Sequence, residues 1–193
     1  MTTITTTLFL PLLLLSPPRM VGPQQVNVLW VSTPRTAWQD TDDARLALAA
    51  ALRWWEARAV VSFTTVEMTM TIDTDMLALN VCRERSWLPP APPTPTLYMI
   101  ATDGAALDCD GVAVGDYTIG TQAIVWGWLI RDSPTDQATL AHTLAHLYGA
   151  QDTHAHDGQP GSGDIMDRNV YVDAYRQGII AASTWQAIGA VKR

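Results

Sequence analysis

All four histidines of this chain, His142, His146, His154 and His156, fall within fifteen consecutive positions, and no other segment holds one. The first two lie in a segment with strong helix-start signals. Ser133 can cap, Pro134 suits the first helical position, and Asp136 places an acid in the first turn. A helix running from there to about Tyr148 sets His142 and His146 one above the other on a single face. Two imidazoles so placed reach one metal ion at about 2.0–2.1 Å. Gly149 then ends the helix through a backbone of positive φ and turns the chain back, so that Asp152 arrives as an oxygen donor. His154 and His156 follow in the same loop and stand as alternative third ligands, because imidazole is the commoner donor. Without Gly149 and Asp152, a histidine pair at helical spacing would be unremarkable.

The run His142-Thr143-Leu144-Ala145-His146-Leu147-Tyr148-Gly149-Ala150-Gln151-Asp152 resembles the long zinc-binding signature of metzincin metallopeptidases, H-E-x-x-H-x-x-G-x-x-H/D. Four of its five defining positions match. Fourteen residues beyond Asp152, Gly163-Asp164-Ile165-Met166-Asp167 resembles the family's Met-turn, in which a methionine, here Met166, lies beneath the metal. The resemblance implies zinc held by His142, His146 and Asp152, in a cleft between upper and lower subdomains. Asp152 is favoured over His154 and His156 because the motif counts its third ligand from Gly149. Arg168 stands two residues after Met166, so the extra tyrosine ligand of astacin-like and serralysin-like members is not expected.

Thr143 departs from the pattern. The family carries glutamate there, which takes a proton from the attacking water and passes it to the leaving amine. Threonine exchanges hydrogen bonds but is no carboxylate base, and losing such a group costs about 10²–10⁴-fold in rate. Glu56, Glu67 and Glu84 are the only glutamates and all lie far upstream. Asp157 or Asp164 are the nearby carboxylates that remain to be considered.

The rest of the chain reads as an α+β domain. Apolar, β-branched 26–31 is a first strand, and Asp40 or Thr41 caps a helix over 44–58. A strand rich in Val, Thr and Met follows over 59–72. Five prolines in 88–96 make a surface loop. Short strands are expected at 97–101, 111–115 and 122–128, and a last helix over 172–191, weakened by Gly178, with Tyr175, Ile179, Trp185 and Ile188 on one face. The resemblance turns this order into a twisted mixed sheet of about five strands with three main helices, one metzincin-like domain over 26–193.

Residues 1–25 form a leader. Leu8 to Leu15 has signal-peptide length without the basic start, so it is either an export signal or a plain apolar leader, and it is too short to span a bilayer. Export would permit a Cys82–Cys109 disulfide, while two buried thiols are the alternative. A net charge of −7 with Lys192 as the single lysine excludes a basic nucleic-acid or anionic-membrane surface. Asp103-Gly104 and Asp108-Cys109-Asp110-Gly111 are calcium candidates or simply turns.

Two function classes follow for what is taken to be a secreted monomer. In the first, a zinc endopeptidase binds an extended peptide along the strand near Gly111 to Gly115. In the second, a pseudoenzyme keeps the cleft and binds a peptide or protein without cutting it, which Thr143 favours. A third reading takes the eight tryptophans as a carbohydrate surface, although Trp54-Trp55 on a helix and Trp126 and Trp128 on a strand fit core packing.

Overall fold

The computed structural model describes residues 18–32, 41–71, 94–101, 114–119, 122–127, 130–153, 163–167 and 171–193. Nine elements lie within them. Strand β1 (Gly22–Ser32) leads to helix α1 (Thr41–Glu56) and strand β2 (Val61–Thr71). Strands β3 (Thr96–Ala101), β4 (Val114–Ile119) and β5 (Gln122–Gly127) precede helix α2 (Pro134–Leu147) and the short helices α3 (Tyr171–Gln177) and α4 (Ala182–Ala187). One sheet holds all five strands in the order β2-β1-β3-β5-β4. The first four run parallel and β4 runs antiparallel to β5 at the edge. The expected mixed α and β composition and five-stranded sheet are therefore present.

The helices cover one face of this sheet. Val26, Val28 and Trp30 of β1 with Leu97 and Met99 of β3 meet Ala47, Leu48, Ala51 and Trp55 of α1 and Leu140, Ala141 and Leu144 of α2, all buried. Tyr98 and Ile100 are buried on the opposite face as well, so β3 is covered on both sides, as a central parallel strand requires. The tryptophans of α1 also fix the other helices. Trp55 donates its indole N–H to the Ala141 carbonyl of α2 at 2.9 Å, and Trp54 donates to the Tyr175 carbonyl of α3 at 2.8 Å. With Trp30 buried too, these rings serve the core, and among the described residues no face of exposed tryptophans supports the carbohydrate reading.

Three boundaries differ from expectation. Strand β1 starts at Gly22, and Met20 is fully buried with its N–H bonded to the Ile188 carbonyl, so the folded part reaches back into the 1–25 leader. Of the strand expected at 111–115, residues 111–113 lie outside the described residues, and the strand continues past 115 as β4 to Ile119, its register set by pairing Val114 with Gly127 and Ile119 with Gln122. The helix expected over 172–191 is two helices. Gly178, at φ 71, ends α3, its N–H bonding the Tyr175 carbonyl while Ile179 N–H bonds that of Ala174, the paired reverse bonds of a glycine-terminated helix. Ile179, placed on the buried face by helical periodicity, is 41% exposed as a result. Among the described residues there are thus four helices, two of them short.

Candidate metal centre

Helix α2 begins as its sequence dictates. The Ser133 side chain accepts from Asp136 N–H at 3.2 Å, and Pro134 occupies the first turn, where no N–H is missed. It ends at Gly149, φ 95, where Gly149 N–H bonds the His146 carbonyl and Ala150 N–H bonds that of Ala145. That reversal carries the chain back over the last turn and delivers Asp152 to the two histidines.

The three side chains converge. His142 Nε2 and His146 Nε2 are 3.0 Å apart, and Asp152 Oδ1 lies 3.2 Å from each. Their second ring nitrogens are already committed. His142 Nδ1 is 2.8 Å from the Ile165 carbonyl and His146 Nδ1 is 2.8 Å from the Ala150 carbonyl. A carbonyl only accepts, so each Nδ1 bears a proton, and a ring in its neutral form then turns the lone pair of Nε2 inward. Three lone-pair-bearing atoms then face one point, an arrangement that a cation stabilises. Donors in a tetrahedral shell at about 2.0–2.1 Å sit about 3.3 Å from one another, close to the observed triangle. The residues fit a metal ion, and His142, His146 and Asp152 are the only such group among the described residues.

Electrostatics agrees with this arrangement. Burial disfavours charge on Asp152, but positive charge between it and the two ring nitrogens, whether carried by the rings or by a cation, outweighs burial and holds the carboxyl well below the usual carboxylate range. The metal position is thus flanked by an ionised oxygen at ordinary pH. His142 is buried, and the His146 and Asp152 side chains are only slightly exposed.

The turn 163–167 packs under this group. Met166 and Ile165 are fully buried, and the Met166 carbonyl accepts from Thr153 N–H at 2.9 Å, fastening the residue after Asp152. Asp164 holds the turn together. Its carboxylate accepts from Met166 N–H at 3.1 Å, Ala181 N–H at 2.9 Å and the Thr184 hydroxyl at 2.6 Å, which also ties the turn to the start of α4. Fully buried and engaged by three donors, Asp164 is a structural carboxylate, and of the two carboxylates considered near the site it is the one committed to the scaffold.

Thr143 is fully buried and donates its hydroxyl to the Thr139 carbonyl one turn back at 2.8 Å. Its proton is spent within its own helix. His154, His156, Asp157, Arg168, the calcium candidates and the Cys82–Cys109 pair lie outside the described residues. Sequence reasoning missed Tyr171, whose ring lies 5.5 Å from that of His142, and the anchoring role of Asp164. Neither has a local signal, since each acts across the fold. No protein-family model and no curated protein matches this chain.

Proposed function

We propose that this chain is a zinc-binding, metallopeptidase-like domain of metzincin type whose proton-transfer group is missing. The observation that carries the reading is the inward triangle of His142 Nε2, His146 Nε2 and Asp152 Oδ1, with both Nδ1 atoms held by carbonyls. The signature spacing, the buried Met166 and a mixed sheet with an antiparallel edge strand beside α2 support the family assignment. Zinc, when bound, supplies a Lewis acid that polarises a carbonyl and acidifies water.

The chain's own residues divide the remaining work. His142, His146 and Asp152 hold the ion; the Ile165 and Ala150 carbonyls orient the two imidazoles, and the Met166 carbonyl fastens Thr153, the residue after Asp152. The outer edge of β4, which no described strand covers, offers backbone groups to an extended peptide. Proton transfer to the leaving amine has no group at position 143, because the Thr143 hydroxyl is turned to Thr139. That observation favours a second reading, a pseudoprotease that binds a peptide or protein partner without cutting it.

The deciding experiment measures zinc content and peptide cleavage for the chain as it stands and for Thr143→Glu. About one zinc per chain, no cleavage, and cleavage gained with glutamate would establish a metallopeptidase disarmed at its base. Zinc bound by both but cleavage by neither favours the non-cutting binder. No zinc in either sinks the proposal.

A further inference from the structure

We infer that Tyr171 is a positioning residue for the metal, holding the His142 ring in its ligating orientation through a hydrogen bond to Thr139; this rests on the metal-site reading above. The torsion that spins a histidine ring about its Cβ–Cγ bond has a broad energy well, so an imidazole aims at an ion only if its surroundings fix it. Three contacts among the described residues restrain His142. Its Nδ1 meets the Ile165 carbonyl, its ring meets that of His146 nearly at right angles with centroids 4.6 Å apart, and it meets that of Tyr171 at 5.5 Å with a tilt of 43°.

Tyr171 is itself held at both ends. Its backbone N–H bonds the Asp167 carbonyl at 2.9 Å, which ties the start of α3 to the buried turn. Its phenol oxygen lies 3.2 Å from Thr139 Oγ1, on α2 three residues before His142. The Thr139 hydroxyl donates to the Thr135 carbonyl at 3.1 Å, so Tyr171 donates in the Thr139–Tyr171 bond. The phenol therefore ties the ring to the helix that carries the ligand, and turn, α3 and α2 close around His142. An imidazole that binds a cation becomes more positive, and an aromatic ring within about 6 Å of positive charge stabilises it. The contact with Tyr171 thus favours the loaded form over the empty one, which separates positioning from plain packing.

The test uses the full chain with Tyr171→Phe, Tyr171→Leu, Thr139→Val and the Phe/Val pair. Zinc affinity is measured by competition with a chromophoric chelator, the visible spectrum is recorded with cobalt(II) in place of zinc, and thermal melting is followed in chelator. Tyr171→Leu is expected to weaken zinc about 10- to 100-fold, the range for losing an outer support of a ligand, and to shift the cobalt bands. Tyr171→Phe and Thr139→Val are each expected to weaken zinc several-fold, and the pair no more than either alone, because both remove one bond. Should Tyr171→Leu not fold, the other variants still decide. Lower metal-free melting with unchanged affinity and cobalt spectrum would overturn the inference and leave Tyr171 as packing. Failure of the unsubstituted chain to bind either metal would overturn it together with the metal site, whereas binding insensitive to every variant overturns the positioning role alone.

Discussion

The loop at 149–153 brings Asp152, and the buried turn at 163–167 brings Asp164, to the same region, and these two carboxylates have opposite surroundings. Asp164 is met by three hydrogen-bond donors and sits fully buried at the head of α4. Asp152 points at two ring nitrogens whose partners on the other side leave their lone pairs turned inward. A carboxylate surrounded by donors is stabilised by the protein itself. One that converges with lone pairs is best stabilised by a cation. The first belongs to the scaffold and the second to the site, although both are buried or nearly so and lie only twelve residues apart.

Substitutions can break this contrast directly. Removing Asp152 as Asp152→Ala is expected to weaken zinc by about 3–4 kcal/mol, on the order of 10²–10³-fold, a quarter share of a typical structural zinc site. The metal-free chain loses the Asp152 contacts with the two histidines and should be destabilised less than by Asp164→Ala, and zinc titration beside urea unfolding in chelator reads both effects. Asp164→Ala should do the reverse, destabilising the metal-free chain by about 3 kcal/mol because buried donors lose a charged acceptor. Equal effects of the two on metal-free stability would erase the distinction.

Smaller effects sharpen it. Free zinc at about one hundred times its dissociation constant should stabilise the unsubstituted chain by about 2.7 kcal/mol, and Asp152→Ala should lose most of that gain in a melting experiment. Gly149→Ala forces a side chain onto a backbone of φ 95 and is expected to cost about 1–2 kcal/mol while also misplacing Asp152. Gly178→Ala has a similar backbone penalty, and its new Cβ would lie 2.7 Å from the Arg58 guanidinium, yet zinc affinity should be unchanged. Measuring affinity for the two glycine variants side by side tests whether only the first reversal serves the site. Ser133→Ala removes the cap of α2 and should cost about 1 kcal/mol by denaturant unfolding.

Helix α2 was the most legible element. Ser133, Pro134 and Asp136 define its start and Gly149 its end through interactions within a few residues, so reading the chain in order is enough. The last helix was less so, because the periodic apolar residues around Gly178 look continuous until the glycine is placed at positive φ against Arg58. The strand near 111–115 was read too short at its far end, because β4 runs on to Ile119 through its pairing with β5, and glycines give no register of their own. At the site, the spacing of His142 and His146 and the count from Gly149 to Asp152 were visible. The partners that aim those rings were not.

By itself, the sequence determined which side chains share a helix face, where α2 begins and reverses, and that position 143 carries a hydroxyl instead of a carboxylate. Those are local properties, set by helical geometry, capping and side-chain chemistry. The tertiary structure alone decided that Asp152 meets both imidazoles, that Ile165 and Ala150 lend the carbonyls that turn Nε2 inward, that Tyr171 lies against His142, and that Asp164 serves the scaffold. The physical reason is that every residue has a carbonyl and many carry a carboxylate. Only the packing of distant segments selects which of them faces a donor and which faces a lone pair.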